Sequence, residues 1–262
     1  MIYRFEMRRQ LGAAVCWAVS LLAAALLLTE GFYPVFLACR TIVEEYIATF
    51  PPLLAAAFGF QLDDLFSIDS YMTLVYLYEA LLGAIAVTTA ALTVFAREKR
   101  QHCADFLMTR PVSRCAVFLR KLLCCLTLLV LMDLPCLLAQ LMSYQHFQGT
   151  HRTELLLTLL CLPLNQLFFL ALGAFLAVWL RTVRSPAGLG CGIGMGAFLL
   201  SMLRTMTELD ALQYLSPLYY FSPLTVRQTG GYDPVCAALG LALTLLLGAA
   251  AFVRYTRQDV TA

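Results

Sequence analysis

Apolar residues in this chain gather into six long runs that polar segments separate. Each run approaches the roughly 20 apolar residues that an α-helix needs to cross the hydrocarbon core of a bilayer. The pattern therefore predicts six membrane-spanning helices. Their bounds are roughly 11–29, 71–95, 116–141, 155–180, 187–206 and 235–253.

Composition supports a protein that is embedded in a membrane. Hydrophobic residues make up 61% of the 262 residues and charged residues only 13%, and the mean hydropathy is +0.79. Soluble globular domains carry about 25% charged residues. The sequence thus predicts an all-α integral membrane fold in which residues 1–262 form one six-helix transmembrane domain.

The distribution of Lys and Arg predicts the orientation of the spans. Fourteen of the 18 basic residues lie before the first run, around the second and fourth connections, and after the last run. Segments between spans that stay in the cytoplasm are enriched in Lys and Arg. We therefore expect a multi-pass protein of the cell membrane with both termini in the cytoplasm.

Three connecting segments have features of their own. Residues 1–10 alternate apolar and charged side chains, which favours a short interfacial helix before the first span. The outer loop 30–70 is acidic and contains an apolar piece at 50–60 that is too short to cross, which indicates an interfacial or re-entrant segment. The outer segment 207–234 is broken by Pro217 and Pro223, so we expect short helices there.

Two acidic residues lie inside the predicted spans. Glu79 belongs to the second span and Asp133 to the third, two residues before Pro135. A carboxylate near the centre of a bilayer costs about 2.5 to 3.5 kcal/mol on insertion scales, so such residues face the bundle interior or a water-filled cavity. Both are candidates for substrate movement, while a structural hydrogen bond or a wet position near the interface would explain them equally well.

The fifth predicted span carries a glycine series. Gly188, Gly192 and Gly196 are spaced four apart, which lets helix backbones approach closely. This spacing predicts a packing face, either within the bundle or between two copies.

The segment 97–114, between the second and third spans, is basic and amphipathic. If residues 99–109 are helical, Cys103, Phe106 and Leu107 share one face and leave the polar side chains to another protein. Pro111 would end this helix, and Ser113 could cap the next one.

Sequence motifs for catalysis are missing from this chain. It contains no GxxxxGK[ST] phosphate-binding loop, so it is not expected to hydrolyse ATP itself. It also has no HExxH or GxSxG motif and no Cys/His set with zinc spacing, so we expect neither an enzyme nor a metal site. Nothing suggests a nucleic-acid partner.

The segment 97–114 resembles the membrane subunits of ATP-binding cassette exporters, the ABC-2-type permeases. The resemblance implies a type-2 exporter permease architecture with a short cytoplasmic coupling helix. It further implies a cytoplasmic ATPase subunit that binds ATP and Mg²⁺, a homodimer or a heterodimer with a similar permease, and contact with membrane lipid. The residues implied in ATPase coupling are Glu98, Lys99, Arg100, Asp105, Phe106, Leu107, Arg110, Pro111 and Arg114.

Two other interpretations remain open at this point. One is a non-transporting membrane protein that acts in assembly or immunity through its outer surface. The other is an ion-coupled secondary carrier that uses Glu79 and Asp133 as proton or cation sites.

Overall fold

A computed structural model of the chain describes residues 2–49, 51, 66–101, 113–149, 152–207 and 210–257. Within these ranges the chain is helical and has no strand. Six of the helices are long and apolar enough to cross a membrane. The predicted all-α membrane fold with six spans is therefore confirmed.

The helices have the following bounds. They are α1 (Ile2–Leu26), a π-helical stretch (Leu27–Phe32), α2 (Tyr33–Ala38), α3 (Arg40–Thr49), α4 (Ile68–Phe95), α5 (Arg97–Gln101), α6 (Arg114–His146), α7 (Arg152–Trp179), α8 (Pro186–Thr207), α9 (Asp210–Leu215), a 3₁₀ turn (Pro217–Tyr219), α10 (Pro223–Thr229) and α11 (Pro234–Arg257).

The first span is longer than the sequence pattern predicts. Instead of a separate interfacial helix, residues 2–10 form the first turns of α1 without a break. No Pro separates them from the apolar run, and Glu6 and Gln10 are buried against the rest of the bundle. Residues 2–10 therefore belong to the same helix as the first span and do not form a separate helix before it.

The same helix also runs on into the predicted outer loop 30–70. Residues 27–32 are π-helical and lead directly into α2, where Pro34 lies in the first turn. Pro34 has no amide hydrogen to donate to the preceding turn, and the π-helical stretch just before it is where the regular hydrogen-bond ladder changes. Residues 40–49 are helical as well. The apolar piece predicted at 50–60 lies almost wholly outside the described residues.

The centre of the bundle is the packed pair α4 and α7. Helix α1 lies against α6, α8 lies against α4, and α11 lies against α7. The buried apolar side chains of these helices form one large cluster. Large apolar side chains on the outer surfaces stay exposed, as with Val19, Leu199 and Leu245. Such a surface suits contact with lipid.

The two ends of the bundle differ in chemistry. At one end, which we call the charged end, the start of α1, the end of α11 and helix α5 bring Glu6, Arg97, Glu98, Lys121 and Arg254 together. The opposite end, which we call the aromatic end, carries a cluster formed by Tyr33, Phe36, Tyr71 and Phe147.

The aromatic end is held by contacts between the first span and α4. Tyr33 packs on Tyr71 with ring centroids 4.8 Å apart, and the Tyr71 hydroxyl donates to the Leu28 carbonyl at 2.7 Å. The outer segment 207–234 lies near this end and forms the short helices that its prolines predict, since α10 begins at Pro223 and the 3₁₀ turn at Pro217.

Candidate coupling site and intramembrane polar pairs

The coupling segment begins at a bend after α4. Ala96 leaves the helical conformation with φ −89° and ψ 3°, and α5 starts at Arg97. Residues 102–112 lie outside the described residues. The coupling roles of Asp105, Phe106, Leu107, Arg110 and Pro111 therefore stay predictions.

Arg97 joins the coupling segment to the first helix. Its guanidinium lies 3.2 Å from the Glu6 carboxylate, and both side chains are buried. A buried charge needs a partner because it has lost its hydration. This ion pair explains how the polar start of α1 is accommodated inside the bundle.

Glu98 joins the same segment to the third span. The Lys121 ammonium lies 2.5 Å from the Glu98 carboxylate and also donates to the Val94 carbonyl at 2.8 Å. The Lys121 side chain is fully buried, whereas that of Glu98 is 18% exposed. In the sequence, Lys121 stands out only as one of the basic residues that set the orientation.

Lys99 joins the segment to the end of α7. Its ammonium donates to the carbonyls of Ala177 at 3.2 Å, Val178 at 2.6 Å and Leu180 at 3.1 Å. The last carbonyls of a helix have no partner within the helix, and a cation is favoured beside them. Burial is the main cause that lowers the pKa of the Lys99 amine, and the nearby Arg254 acts in the same direction.

Three consecutive side chains of the coupling segment thus contact three different spans. Two of them, Glu98 and Lys99, were predicted to serve ATPase coupling, and the structure places them against the bundle. Arg100 is exposed. After residues 102–112, Ser113 caps α6 as predicted, since its hydroxyl accepts a hydrogen bond from the Ala116 amide at 3.3 Å. Arg114 forms the first turn of that helix.

Both intramembrane carboxyls lie inside the bundle and face amides. Glu79 is 0% exposed and Asp133 is 2% exposed. The Gln140 amide donates to Glu79, and the Gln166 amide donates to Asp133 at 2.8 Å. These contacts link α4 to α6 and α6 to α7. Their functional roles stay predictions.

Sequence reasoning missed the amide partners. Gln140, Asn165 and Gln166 are all buried, and Asn165 donates to the Tyr76 hydroxyl at 2.6 Å and to the Phe221 carbonyl at 3.0 Å. The available signal was that Asn and Gln within an apolar run hydrogen-bond to neighbouring helices. Ionisable residues stand out within these apolar runs, whereas neutral amide side chains do not.

The glycines of α8 divide between two faces. Added Cβ atoms at Gly190 and Gly194 would collide with Thr89 and Ile85 of α4, so these two allow the close approach of the helices. Gly192 and Gly196, in contrast, have nothing of this chain within 4 Å of such an atom. The predicted packing face is therefore open at Gly192 and Gly196 within the described part of the chain, while a Cβ atom at Gly188 would lie 3.1 Å from the Ser185 hydroxyl.

These features define a class of protein. Six apolar helices, buried polar side chains and a bent segment that contacts several spans describe a multi-pass membrane protein. The family described as "ABC-2 family transporter protein" matches residues 35–199, which is more than half of the chain. The chain belongs to the ABC-2 family, as the resemblance at the coupling segment implied. No curated protein matches it.

Proposed function

We propose that this chain is the permease subunit of an ATP-driven exporter and works with a separate ATPase in the cytoplasm. The observation that carries the proposal is the attachment of α5. Because Arg97, Glu98 and Lys99 each contact a different span, a displacement of α5 would move α1, α6 and α7 together. ATP with Mg²⁺ would bind to the partner, and this chain supplies the path.

The proposed docking surface lies beyond the anchored turn. Arg100 is exposed at the end of α5 and leads into the segment 102–112. Charged side chains at an interface set orientation and partner choice more than affinity. In this arrangement, Glu98 and Lys99 transmit the movement, and Arg100 takes part in binding the ATPase.

Co-purification tests this proposal. Tagged chain is expressed in its native host and solubilised in a mild detergent. We expect the ATPase to be recovered with the wild-type chain and recovery to fall several-fold for Arg100→Glu. Arg120→Glu is the matched control, because Arg120 is also exposed but lies on the surface of α6. Failure of the wild-type chain to retain an ATPase would overturn the proposal.

The proposed orientation places the charged end in the cytoplasm of a cell whose membrane holds the chain. Cys115 is exposed at the start of α6 and provides a natural probe. A maleimide that does not cross membranes should label Cys115 only after the cells are opened, with Cys115→Ser as the control for the site of labelling. Labelling of Cys115 in intact cells would show that the charged end faces the outside.

We further propose that the permease pairs with a second copy through the open face of α8. Gly188, Gly192, Met195 and Leu199 form an exposed stripe along this helix. Small residues spaced four apart allow two helices in a membrane to pack closely. A similar permease would fit the same face if it carried the same spacing.

A further inference from the structure

The two intramembrane carboxyls share an unusual hydrogen-bonding arrangement. Each receives a hydrogen bond from a glutamine amide of a neighbouring helix. In the part of the chain that the structure describes, no Arg, Lys or His forms an ion pair with either carboxyl. Two charged carboxylates would then lie in the membrane interior without a counter-charge, which is strongly unfavourable.

The unpaired atoms of Asp133 and Gln166 indicate that a proton is missing between them. Gln166 donates from Nε2 to Asp133 Oδ1 at 2.8 Å, while Asp133 Oδ2 and Gln166 Oε1 are buried and lack a partner among the described residues. Both are acceptors if the acid is ionised, so they repel each other. A proton on Asp133 Oδ2 converts this atom into a donor.

A neutral acid and an amide are complementary. The amide N–H donates to the acid carbonyl oxygen, and the acid O–H donates to the amide oxygen, which gives two parallel hydrogen bonds in one ring. The structure contains the first of these bonds and leaves the two atoms of the second unsatisfied. Buried polar atoms are normally satisfied, so the second bond is expected.

Glu79 shares part of this arrangement one helix pair away, and the Cys136 thiol also interacts with its carboxyl. Gln140 donates to Glu79 Oε2, and Glu79 Oε1 is buried without a hydrogen-bond partner among the described residues. Gln140 and Asp133 lie seven residues apart on α6, which places them on the same face about 10 Å from each other.

Helix packing supports a fixed position for the Gln166 amide. Gly83 of α4 lies directly against it, and an added Cβ atom at this position would collide with the Gln166 side chain. The amide is thereby held between α4 and Asp133.

We propose that Asp133 and Glu79 each bind a proton and act as neutral acids, each pairing with an amide to link α6 to α7 and α4 to α6. This inference does not depend on the pump proposal. The titratable groups that face the two acids are Glu79 and Asp133 themselves, Cys136 of α6 and Tyr76 of α4.

Infrared spectroscopy of the purified chain tests the protonation directly. Protonated carboxyl groups absorb apart from ionised ones, so at pH 6 we expect the wild type to show a carboxylic-acid C=O band. The band should lose part of its intensity in Asp133→Asn and in Glu79→Gln, and lose both parts in the double variant. An unchanged band in both single variants would overturn the proposal.

Thermal unfolding in detergent gives an independent test. Asp133→Asn keeps both hydrogen bonds as an amide–amide pair and carries no proton to lose, so its midpoint at pH 6 should match that of the wild type. Asp133→Leu keeps the branching at Cγ and has no polar atoms, and its midpoint should fall by several degrees because Gln166 is left unpaired.

The pH dependence of the midpoint separates a proton from a bound cation. The native state holds protons that the unfolded chain releases. Raising the pH from 6 to 9 should therefore lower the unfolding midpoint of the wild type more than that of Asp133→Asn. If instead Na⁺, K⁺ or an alkylammonium ion raises the midpoint of the wild type and not that of Asp133→Asn, the carboxylate binds a cation and the proposal is wrong.

Discussion

Lys99 shows how a single side chain serves two elements. Its ammonium lies beyond the end of α7 and reaches three carbonyl oxygens there, while its backbone belongs to the coupling segment. The last turn of α7 is thus completed by a residue that is some eighty positions earlier in the chain. Any displacement of α5 must either carry this helix end along or break these hydrogen bonds.

Replacing Lys99 tests this contact. We expect Lys99→Met to lower the free energy of unfolding by about 1–3 kcal/mol, because hydrogen bonds to a charged group are lost and the carbonyls of α7 are left unsatisfied. Chemical denaturation of the purified chain measures the change. Arg100→Met is the matched control and should change the stability little, since Arg100 is exposed. Equal effects of the two variants would contradict the capping role.

At the residue scale, sequence reasoning found the charged groups and missed their partners. Glu79 and Asp133 stand out in an apolar run because of their charge, and both are buried as expected. Gln140 and Gln166 carry no charge, and they lie 61 and 33 residues along the chain from the acids that they contact. Which amide meets which acid depends on the rotation of each helix about its axis, and only the packed bundle sets this rotation.

At the scale of helices, the ion pair between Glu98 and Lys121 connects the coupling segment to the third span. Removing one partner of a buried pair leaves an uncompensated charge, at a cost of about 3–5 kcal/mol. We expect Glu98→Gln to approach the lower end of this range, because Lys121 keeps its bond to the Val94 carbonyl.

A double-mutant cycle measures the pair itself. Lys121→Met added to Glu98→Gln should recover part of the lost stability, because the buried ammonium is gone. A double variant whose loss equals the sum of the two single losses would show that the two side chains act independently.

The glycines of α8 provide a second test of helix packing. Gly190→Ala should destabilise the chain by about 1–3 kcal/mol, because its Cβ atom would collide with Thr89 and push α8 away from α4. Gly192→Ala should leave the monomer as stable as the wild type or more so, since nothing of this chain lies near it and Ala is the better helix former. Thermal unfolding of both variants in detergent gives the comparison.

The positions of the six spans could be predicted from the sequence, but the ends of the first span could not. All six spans appear where apolar runs indicated them. The first span, however, starts at Ile2 and continues to Ala38, because the Glu6–Arg97 pair accommodates its polar start and a π-helical stretch leads into Pro34. Neither the partner of Glu6 nor the local π-helical turn is visible in the hydropathy of the sequence.

At the scale of the whole molecule, the open face of α8 is the proposed contact between two copies of the chain. Cys191 is exposed and lies beside Gly192 on this helix, so two copies that pack through the glycine stripe bring their Cys191 thiols close to each other. We expect a short bis-maleimide to join two chains in native membranes. The covalent dimer should disappear in Cys191→Ser and persist in Cys16→Ser, which removes an exposed cysteine from α1 instead.

Substitution of the stripe itself then distinguishes packing from chance collision. Gly192→Leu places a large side chain on the open face, where an added Cβ atom meets nothing of this chain, so the monomer should remain folded while the cross-linked dimer falls several-fold. Because close packing of two helices requires small residues at the contact, Leu at this position separates the backbones. Undiminished cross-linking in Gly192→Leu would place the dimer contact elsewhere, and the exposed surfaces of α1 and α11 would be the next to consider.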